Sequence, residues 1–159
     1  MKNKIKPLTI CLWFDGQAEE AAKFYTSVFW NSKIENVTHY PKAGHEVHGM
    51  KEGSVLTVEF TINGQSFIAL NAGPLFKFNE SVSLQIFCDT QEEIDYYWDK
   101  LTEGGQESQC GWLKDKFGFS WQVVPSILSK LMSDPDRVEA VTAAFMQMKK
   151  FDLEKLIKA

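Results

Sequence analysis

Two stretches of the chain repeat one pattern of apolar and polar positions. The first, WFDGQAEEAAKFY, begins at Trp13, and the second, IFCDTQEEIDYYW, begins at Ile86. A shift of 73 residues aligns the two stretches without a gap and places Phe14 on Phe87. The matched apolar positions recur at the spacing of a single helix face. The pattern therefore predicts two amphipathic helices that lay equivalent faces on a flat neighbour.

The predicted helices span about residues 17–30 and 91–103, and each follows a strand. The segments before them, LTICLWF and VSLQIFC, are rich in β-branched and aromatic residues, which favour strands. The second helix has Thr90 at its start and Glu93 three residues later, which is the spacing of a capping box. Both copies are therefore predicted to begin with a strand and a helix.

A second repeat follows at a different offset. The segment GQSFIALN, from Gly64, aligns with GFSWQVVP, from Gly118, at a shift of 54 residues, so the first copy carries 19 extra residues in a Gly- and His-rich loop. The pair Asn63-Gly64 predicts a hairpin turn. Further strands are predicted near 33–40, 54–63 and 66–71 in the first copy, and near 107–113, 114–117 and 119–124 in the second.

The repeated order of one strand, one helix and three strands predicts an α+β fold built of two βαβββ modules. We expect a single domain over residues 1–159, with modules at about 8–72 and 81–125 and a helical tail at 126–159. The two modules are expected to form a curved mixed sheet with the helices on its convex side. The concave side would then provide a pocket for a small molecule.

The composition narrows the classes of partner. The chain of 159 residues is 44% hydrophobic, which suffices for a packed core, and its net charge is −4 without a cluster of Lys and Arg. Nucleic acid is therefore not an expected partner. Because no apolar run reaches the ~18–20 residues of a span, no membrane partner is expected either. We interpret the basic N-terminus as leading into the first strand and not as a signal peptide.

The three cysteines indicate a reducing compartment. Cys11, Cys88 and Cys110 include no CxxC pair. Cys11 and Cys88 lie on apolar strands, so we expect both to be reduced and buried. No histidine that would activate Cys110 is evident, which predicts an inert thiol. The expected location is the cytoplasm.

Several long segments resemble one known family. They are WFDGQAEEAAKFYTSVF, FIALNAGPLFKFNESVSLQ, QEEIDYYWDKL and CGWLKDKFGFSWQVVP. They resemble PhnB-like proteins, often labelled demethylubiquinone methyltransferase-like, in the glyoxalase, bleomycin resistance and vicinal oxygen chelate superfamily. The resemblance spans Leu8 to Leu156. It implies the glyoxalase fold, a homodimer, and a divalent metal that catalytic members hold with His, Gln and Glu from the first and last strand of each module.

The strands that would hold this metal offer few ligands in this chain. Their candidates are Asn71, Gln85 and Gln122, and neutral amides do not offset the cost of dehydrating a dication. We therefore predict no metal and no other cofactor, with a divalent metal as the alternative. His45 and His48 in the segment HEVH are expected to be solvated loop residues, although on a helix their spacing would bring them together.

The methyltransferase label has little support in the residues. A nucleotide-type methyl donor needs a glycine-rich turn between a strand and a helix in a doubly wound sheet. This chain has no GxG, and its first such turn is Asp15-Gly16-Gln17. Methyl transfer is kept as an alternative.

Alternation along the strands selects the candidate site residues. Glu59 lies on the polar face of the third strand, where it is either a general base in a partly dry cleft or a carboxylate that pairs with lysine or faces water. Gln85 and Gln122 interrupt apolar strands, either as pocket hydrogen-bonding groups or as satisfied core amides. Trp112 is either a pocket wall or part of a surface hairpin. The predicted ligand-binding set is Glu59, Thr57, Gln85, Gln122, Asn71 and Trp112, with Glu59 as the candidate catalytic residue.

Three functions compete. The preferred one is a metal-free protein that binds a small-molecule ligand. The second is a metal-dependent or metal-independent enzyme, such as a lyase, isomerase or dioxygenase. The third is an interaction role for the tail, which predicts an exposed apolar patch formed by Val138, Val141, Phe145 and Met148.

Overall fold

The structure is a computed structural model that describes residues 8–159, so the basic start of the chain lies outside the described residues. The described chain forms two compact units, of which one ends at Lys77 and the other begins at Phe78. Each unit contains one of the two predicted modules. Their grouping into a single domain stays a prediction. None of the helices within residues 8–159 has both the length and the hydrophobicity that crossing a membrane requires.

The first unit is a complete βαβββ module. Its elements are β1 (Thr9–Phe14), α1 (Ala18–Val28), β2 (Lys33–His39), α2 (His45–His48), β3 (Val55–Ile62) and β4 (Gln65–Asn71). The strands form one sheet in the order β1-β4-β3-β2, in which only β1 and β4 run parallel. Asn63 and Gly64, both with positive φ, form the predicted hairpin turn between β3 and β4.

The second unit repeats this topology and adds the tail. Its elements are β5 (Ser83–Cys88), α3 (Gln91–Thr102), β6 (Gln106–Glu107), β7 (Trp112–Lys114), β8 (Ser120–Pro125), α4 (Leu128–Met132), α5 (Val138–Phe145) and α6 (Leu153–Lys158). The sheet order is β5-β8-β7-β6, again with the first two strands parallel. The predicted α+β class, with two βαβββ modules and C-terminal helices, is confirmed.

Both long helices bury the face that the repeat predicted. The buried residues of α1 include Ala21, Tyr25 and Val28, and those of α3 lie 73 positions later, at Ile94, Trp98 and Leu101. The ring of Tyr25 stacks on Phe60 of β3 with their centroids 6.2 Å apart. The predicted capping box also forms, because the Thr90 side chain accepts from the Glu93 amide while the Glu93 carboxylate accepts from the amide of Thr90.

The gapless alignment of the two copies is wrong in the strands. Phe14 pairs with Asn71 at the end of β1. The equivalent pair in the second sheet is Cys88 with Pro125. Phe14 and Cys88 are buried, whereas Phe87 is 62% exposed. The strand-to-helix turn has three residues in the first copy and two in the second, and a shift of one residue moves a strand side chain to the opposite face.

The predicted strand at 114–117 is a turn. The carboxylate of Asp115 is buried there and accepts hydrogen bonds from the amides of Phe117 and Phe119 at 2.9 and 3.1 Å. It also accepts from the indole Nε1 of Trp121 at 2.8 Å. By accepting these three hydrogen bonds, the carboxylate stabilises the reversal of the chain between β7 and β8.

The tail packs onto the second unit, so the predicted exposed patch is wrong. Val141 is fully buried, and Val138, Phe145 and Met148 are half-buried. Phe151 is also buried, and its ring lies so close to Gly111 that a Cβ there would be 2.5 Å from it. The apolar residues of the tail therefore extend the core of this unit.

Candidate functional site

The second sheet carries three of the six candidate residues on the face opposite α3, which we call the open face. Successive side chains of a strand point to opposite faces, so the ladder assigns each residue. The open face comprises Ser83, Gln85 and Phe87 of β5, Ser120 and Gln122 of β8, and Trp112 and Lys114 of β7. It therefore brings together three of the sequence-predicted site residues, namely Gln85, Gln122 and Trp112.

The two glutamines form a hydrogen-bonded ladder across the parallel strands. Gln85 and Gln122 are direct partners, and Gln85 Nε2 donates to Gln122 Oε1 at 3.2 Å. Gln122 Nε2 in turn donates to Ser83 Oγ at 2.8 Å. On the other side, Trp112 faces Gln122 across the β7–β8 pairing. The open face thus places an ordered row of amides beside an indole ring.

A cavity of about 320 Å³ lies on this part of the second unit. Its walls are formed by Glu80, Gln106, Glu107, Ser108, Trp112, Leu113, Lys114 and Ser120, so the cavity lies beside Gln85 and Gln122, which do not line it. This volume is at the lower end of the range for small-molecule sites. The cavity can therefore hold a compact organic molecule between an indole, a cation and several hydrogen-bonding groups.

Ser120 is the residue of this cavity that the sequence reasoning missed. Its side chain is fully buried, and its Oγ has no hydrogen-bond partner among the described residues. A buried hydroxyl without a partner costs roughly 1–3 kcal/mol. The alternation of Ser120 and Gln122 along β8 was the available signal, because it gives this strand a second polar residue on the open face.

Lys114 provides the positive charge of the cavity. It lies opposite Ser120 in the β7–β8 ladder, and its ammonium forms an ion pair with Glu80. Its hydrogen bond to the Glu80 carboxylate lowers the pKa of Glu80 below the ordinary value. The Lys114 side chain is 32% exposed and that of Glu80 is 62% exposed. This pair therefore stands at the solvent-facing side of the cavity.

Thr57 and Glu59 belong to the first unit, on the face of its sheet opposite α1. Both alternate with the buried Val58 and Phe60, as the strand pattern predicted. Thr57 Oγ1 makes a hydrogen bond with Thr38 Oγ1 of the neighbouring strand. Glu59 is exposed, and its carboxylate forms no ion pair or hydrogen bond within residues 8–159. The structure therefore leaves the Glu59 carboxylate accessible to solvent.

Asn71 lies on the opposite side of the first sheet, under α1. It is buried, its Oδ1 accepts from the Ala18 amide at 2.9 Å, and its Nδ2 donates to the Val55 carbonyl at 3.0 Å. Asn71 thus satisfies the first amide of α1 from a distant strand. Because both ends of its amide are used within the unit, we leave Asn71 out of the proposed site.

The segment HEVH is a short helix, α2, and not the predicted loop. Gly44 and Gly49, both left-handed, flank it and stop it after one turn. The rings of His45 and His48 have centroids 6.0 Å apart. Nδ1 of His48 already accepts from the Met50 amide at 2.9 Å. The two histidines are therefore close but not free to act as a pair of metal ligands.

The cysteines differ in exposure more than the sequence suggested. Cys88 is buried, and this desolvation raises its pKa to about 12. Cys11, in contrast, is exposed on the face of the first sheet opposite α1, so the prediction that it is buried is wrong. Its position on β1 alternates with Leu12, which takes the buried face. The three thiols form no disulfide.

The donor set of this chain does not fit a divalent metal. Among residues 8–159, no three His, Cys, Asp or Glu side chains lie close enough to hold one ion. Where the superfamily has ligands, β5 and β8 present Gln85 and Gln122, whose amides bond to each other. β1 and β4 present Cys11 opposite Ile68. A hard dication is held by a set that includes carboxylate or imidazole ligands, whereas these positions offer only neutral amides, a thiol and an apolar side chain.

Comparison with known proteins assigns the chain to a family. A family model described as 3-demethylubiquinone-9 3-methyltransferase matches residues 6–124. The chain belongs to the 3-demethylubiquinone-9 3-methyltransferase family. Within this family, the matched region includes both βαβββ modules and ends before the tail helices. No curated protein matches the chain.

Solved structures agree with this family and its fold. The PhnB protein from Bacillus cereus is 37% identical, with a TM-score of 0.66, and the match covers 76% of this chain and 99% of that one. Protein PA1353 from Pseudomonas aeruginosa is 17% identical, with a TM-score of 0.60 and coverage of 76% and 98%. The fosfomycin resistance protein FosX from Listeria monocytogenes is 13% identical, with a TM-score of 0.53 and coverage of 82% and 97%. The last two show the fold alone.

The name of the family implies a methyl donor, and the fold offers no ordinary site for one. A nucleotide-type donor binds where a glycine-rich turn opens a helix in a doubly wound parallel sheet. Here each sheet has a single parallel pair. Asn71 caps the first amide of α1, and Thr90 and Glu93 cap the start of α3. The starts of α1 and α3 are therefore already capped within the protein.

Proposed function

We propose that the protein binds a small organic molecule in the cavity on the open face of the second unit. The observation that carries the proposal is the buried, unpartnered hydroxyl of Ser120 beside Trp112 and Lys114. A ligand in this cavity would supply the missing hydrogen-bond partner. The indole would cover an apolar face of the ligand, and the exposed amide of Gln106 would add a hydrogen bond.

The proposed binding does not require the divalent metal of the superfamily. The support is the chemistry of the donors, because two amides that bond to each other are weak ligands for a dication. Metal analysis of protein purified without an affinity tag tests this part. A stoichiometric metal that is lost on Gln85→Ala would contradict it.

We also propose a cytoplasmic location and a homodimer. Three free thiols, including the exposed Cys11, are compatible with a reducing compartment. The homodimer rests on the family resemblance. Light scattering at several protein concentrations tests it, and a monomer mass throughout would contradict it.

A thermal-shift screen with a library of small metabolites tests the proposed binding. Binding to the folded state raises the melting temperature in proportion to the logarithm of ligand excess. We expect compounds that stabilise the wild-type protein and lose this effect in Trp112→Ala and in Gln106→Ala, because both residues line the cavity. Trp30→Ala is the matched control, because Trp30 is 81% exposed and belongs to the first unit.

Two results of this screen would contradict the proposal. One is a library in which no compound stabilises the wild-type protein. The other is a set of compounds that stabilise Trp112→Ala and Gln106→Ala as strongly as Trp30→Ala. Gln106→Ala provides the test if Trp112→Ala fails to fold, since Gln106 is exposed and its removal creates no cavity.

An enzyme is the second candidate, and it rests on Glu59. Its carboxylate has no ion pair within residues 8–159, so no described lysine neutralises it and it can accept a proton. Any compound found in the screen should be followed for chemical change by mass spectrometry. Turnover that disappears in Glu59→Gln, while binding persists, would favour the enzyme over the binding protein.

A further inference from the structure

The ion pair between Lys114 and Glu80 is built so that it can exchange partners. Glu80 lies outside the strands, just before β5, and most of its side chain is in contact with solvent. Lys114 extends from β7 and is more enclosed. Exposed ion pairs contribute little to stability, so replacing the Glu80 carboxylate by another anion costs little.

The buried hydroxyl of Ser120 complements this ammonium. Ser120 and Lys114 are direct partners across β7 and β8, so their side chains leave adjacent backbone positions on one face. Ser120 Oγ can donate one hydrogen bond, and no described residue accepts it. Hydrogen bonds from neutral or cationic donors to an anionic oxygen are stronger than those to a neutral oxygen.

We infer that the cavity selects a small carboxylate carried on a planar group, and that this carboxylate replaces Glu80 as the partner of Lys114. One carboxylate oxygen meets the ammonium of Lys114, and the other accepts from Ser120 Oγ. The planar group lies along the indole of Trp112. This inference rests on the proposed function and adds the chemical class of the ligand.

The other acidic residue of the cavity does not compete for this place. Glu107 Oε1 accepts from the indole Nε1 of Trp98 in α3 at 3.1 Å. Its second oxygen pairs with Lys149 of the tail at 3.4 Å. The hydrogen bond from Trp98 is the main reason that the pKa of Glu107 lies below its ordinary value. Glu107 therefore stays bound on the α3 side of the sheet.

Benzoate and benzamide form a matched pair of probes, because they have the same shape and differ in charge. Titration of the full chain, followed by the NMR signal of the Trp112 indole, gives the affinity of each probe at constant ionic strength. We expect benzoate to bind about tenfold more tightly than benzamide, since only benzoate offers a charge-assisted bond. Benzamidine, which is cationic, should bind more weakly than both.

Three variants assign this preference to the residues. Lys114→Met should remove the preference for benzoate, and Lys114→Arg should retain it. Glu80→Gln should increase the affinity for benzoate severalfold and leave benzamide unchanged, because the internal competitor is gone.

Ser120→Ala adds a signature that a purely structural role would not produce. It should weaken benzoate binding severalfold without lowering the midpoint of urea unfolding, because it removes a hydroxyl that the described protein leaves unsatisfied. Ser126→Ala, an exposed serine beyond β8, is the control and should change neither quantity.

The outcomes separate the inference from the proposed function. Equal binding of benzoate and benzamide at Trp112 would overturn the inference and leave the proposed function in place. An unchanged preference in Lys114→Met, or an unchanged benzoate affinity in Glu80→Gln, would also overturn it. Binding of neither probe would reject the carboxylate class, and the metabolite screen then decides the proposed function by itself.

Discussion

The two units have the same topology but present different chemistry at equivalent positions. Glu59 faces Ile68 across the first sheet, and Trp112 faces Gln122 at the same place in the second. Along the parallel pair, Cys11 lies opposite Ile68, whereas its counterpart in the second sheet is a glutamine opposite a glutamine. The faces that the helices cover are mainly apolar in both units, with Asn71 as the polar exception under α1. Duplication thus retained the packed side and changed the side opposite the helix, where packing imposes fewer constraints.

The units also differ in the contacts that stabilise their equivalent helix starts and hairpin turns. The start of α1 is capped by Asn71 from a distant strand, whereas α3 is capped by its own first turn. A two-residue turn at Asn63 closes the first hairpin, whereas a longer turn around the buried Asp115 closes the second. Equivalent geometry can therefore rest on local signals in one unit and on long-range contacts in the other.

The largest expected effect is that of removing the buried carboxylate of the second hairpin. Asp115→Ala should lower the free energy of unfolding by roughly 4 kcal/mol, since it removes the buried acceptor of three hydrogen bonds. Urea unfolding followed by tryptophan fluorescence measures this. Asn63→Ala, in the equivalent hairpin, should cost only about 1 kcal/mol, which is the penalty for an alanine with positive φ. Equal losses in the two variants would remove the distinction between the hairpins.

The contact of the tail with the second unit should show the next largest effect. Gly111→Ala places a Cβ 2.5 Å from the ring of Phe151 and from the carbonyl of Val123, at a φ of +79°. Backbone strain and overpacking together should cost about 3 kcal/mol.

Gly118→Ala is the control for this contact, because it has a φ of +84° and no atom within 4 Å of the new Cβ. It should cost about 1 kcal/mol. If both variants lose the same stability, the contact between Phe151 and Gly111 does not constrain the tail.

The two helix caps should differ by a smaller amount. Asn71→Ala should cost about 2 kcal/mol, because it leaves a buried amide of Ala18 and a carbonyl of Val55 without partners. Thr90→Ala should cost about 1 kcal/mol, since the exposed start of α3 can bind water instead. The urea midpoints of the two variants measure the difference. A larger loss for Thr90→Ala would contradict the expectation that the long-range cap contributes more than the local one.

The smallest expected effect is a loss of stability at acidic pH. The hydrogen bond from Lys150 lowers the pKa of Asp95 below its ordinary value, and the same bond raises the pKa of Lys150. The pair therefore contributes its full stability above about pH 4, the unfolded value of Asp, and loses it as the pH falls through the lower folded value. Because Asp95 and Lys150 lie near the surface, beside Asp99, the loss should be below about 1 kcal/mol.

The contribution of this weak ion pair is tested by the change in the urea midpoint between pH 6 and pH 3. The change is measured in the wild type and in Lys150→Met. The variant should lose less stability on acidification, since it lacks the largest cause of the lowered pKa of Asp95, while the hydrogen bond from Gln91 remains. Lys130→Met is the control, because Lys130 is exposed and forms no ion pair within residues 8–159. An equal acid response in all three proteins would contradict the expectation.

Periodicity in the sequence was sufficient for the fold because helices and strands bury side chains at characteristic spacings. The helix match at a shift of 73 residues predicted which residues α1 and α3 bury, and the alternation around Glu59 predicted the two faces of β3. The match failed where a single residue was inserted, between Phe14 and Ala18, since such an insertion does not disturb the helix pattern but reverses the strand pattern.

The sequence by itself determined the duplicated βαβββ modules, the buried faces of their helices and the polar character of Gln85 and Gln122. These properties follow from local periodicity, which each segment carries alone. Only the tertiary structure decided that Asn71 caps a helix, that Cys11 is exposed and that Ser120 is buried without a partner beside Lys114. These properties depend on which residues become neighbours across strands far apart in the chain, and no local pattern records that pairing.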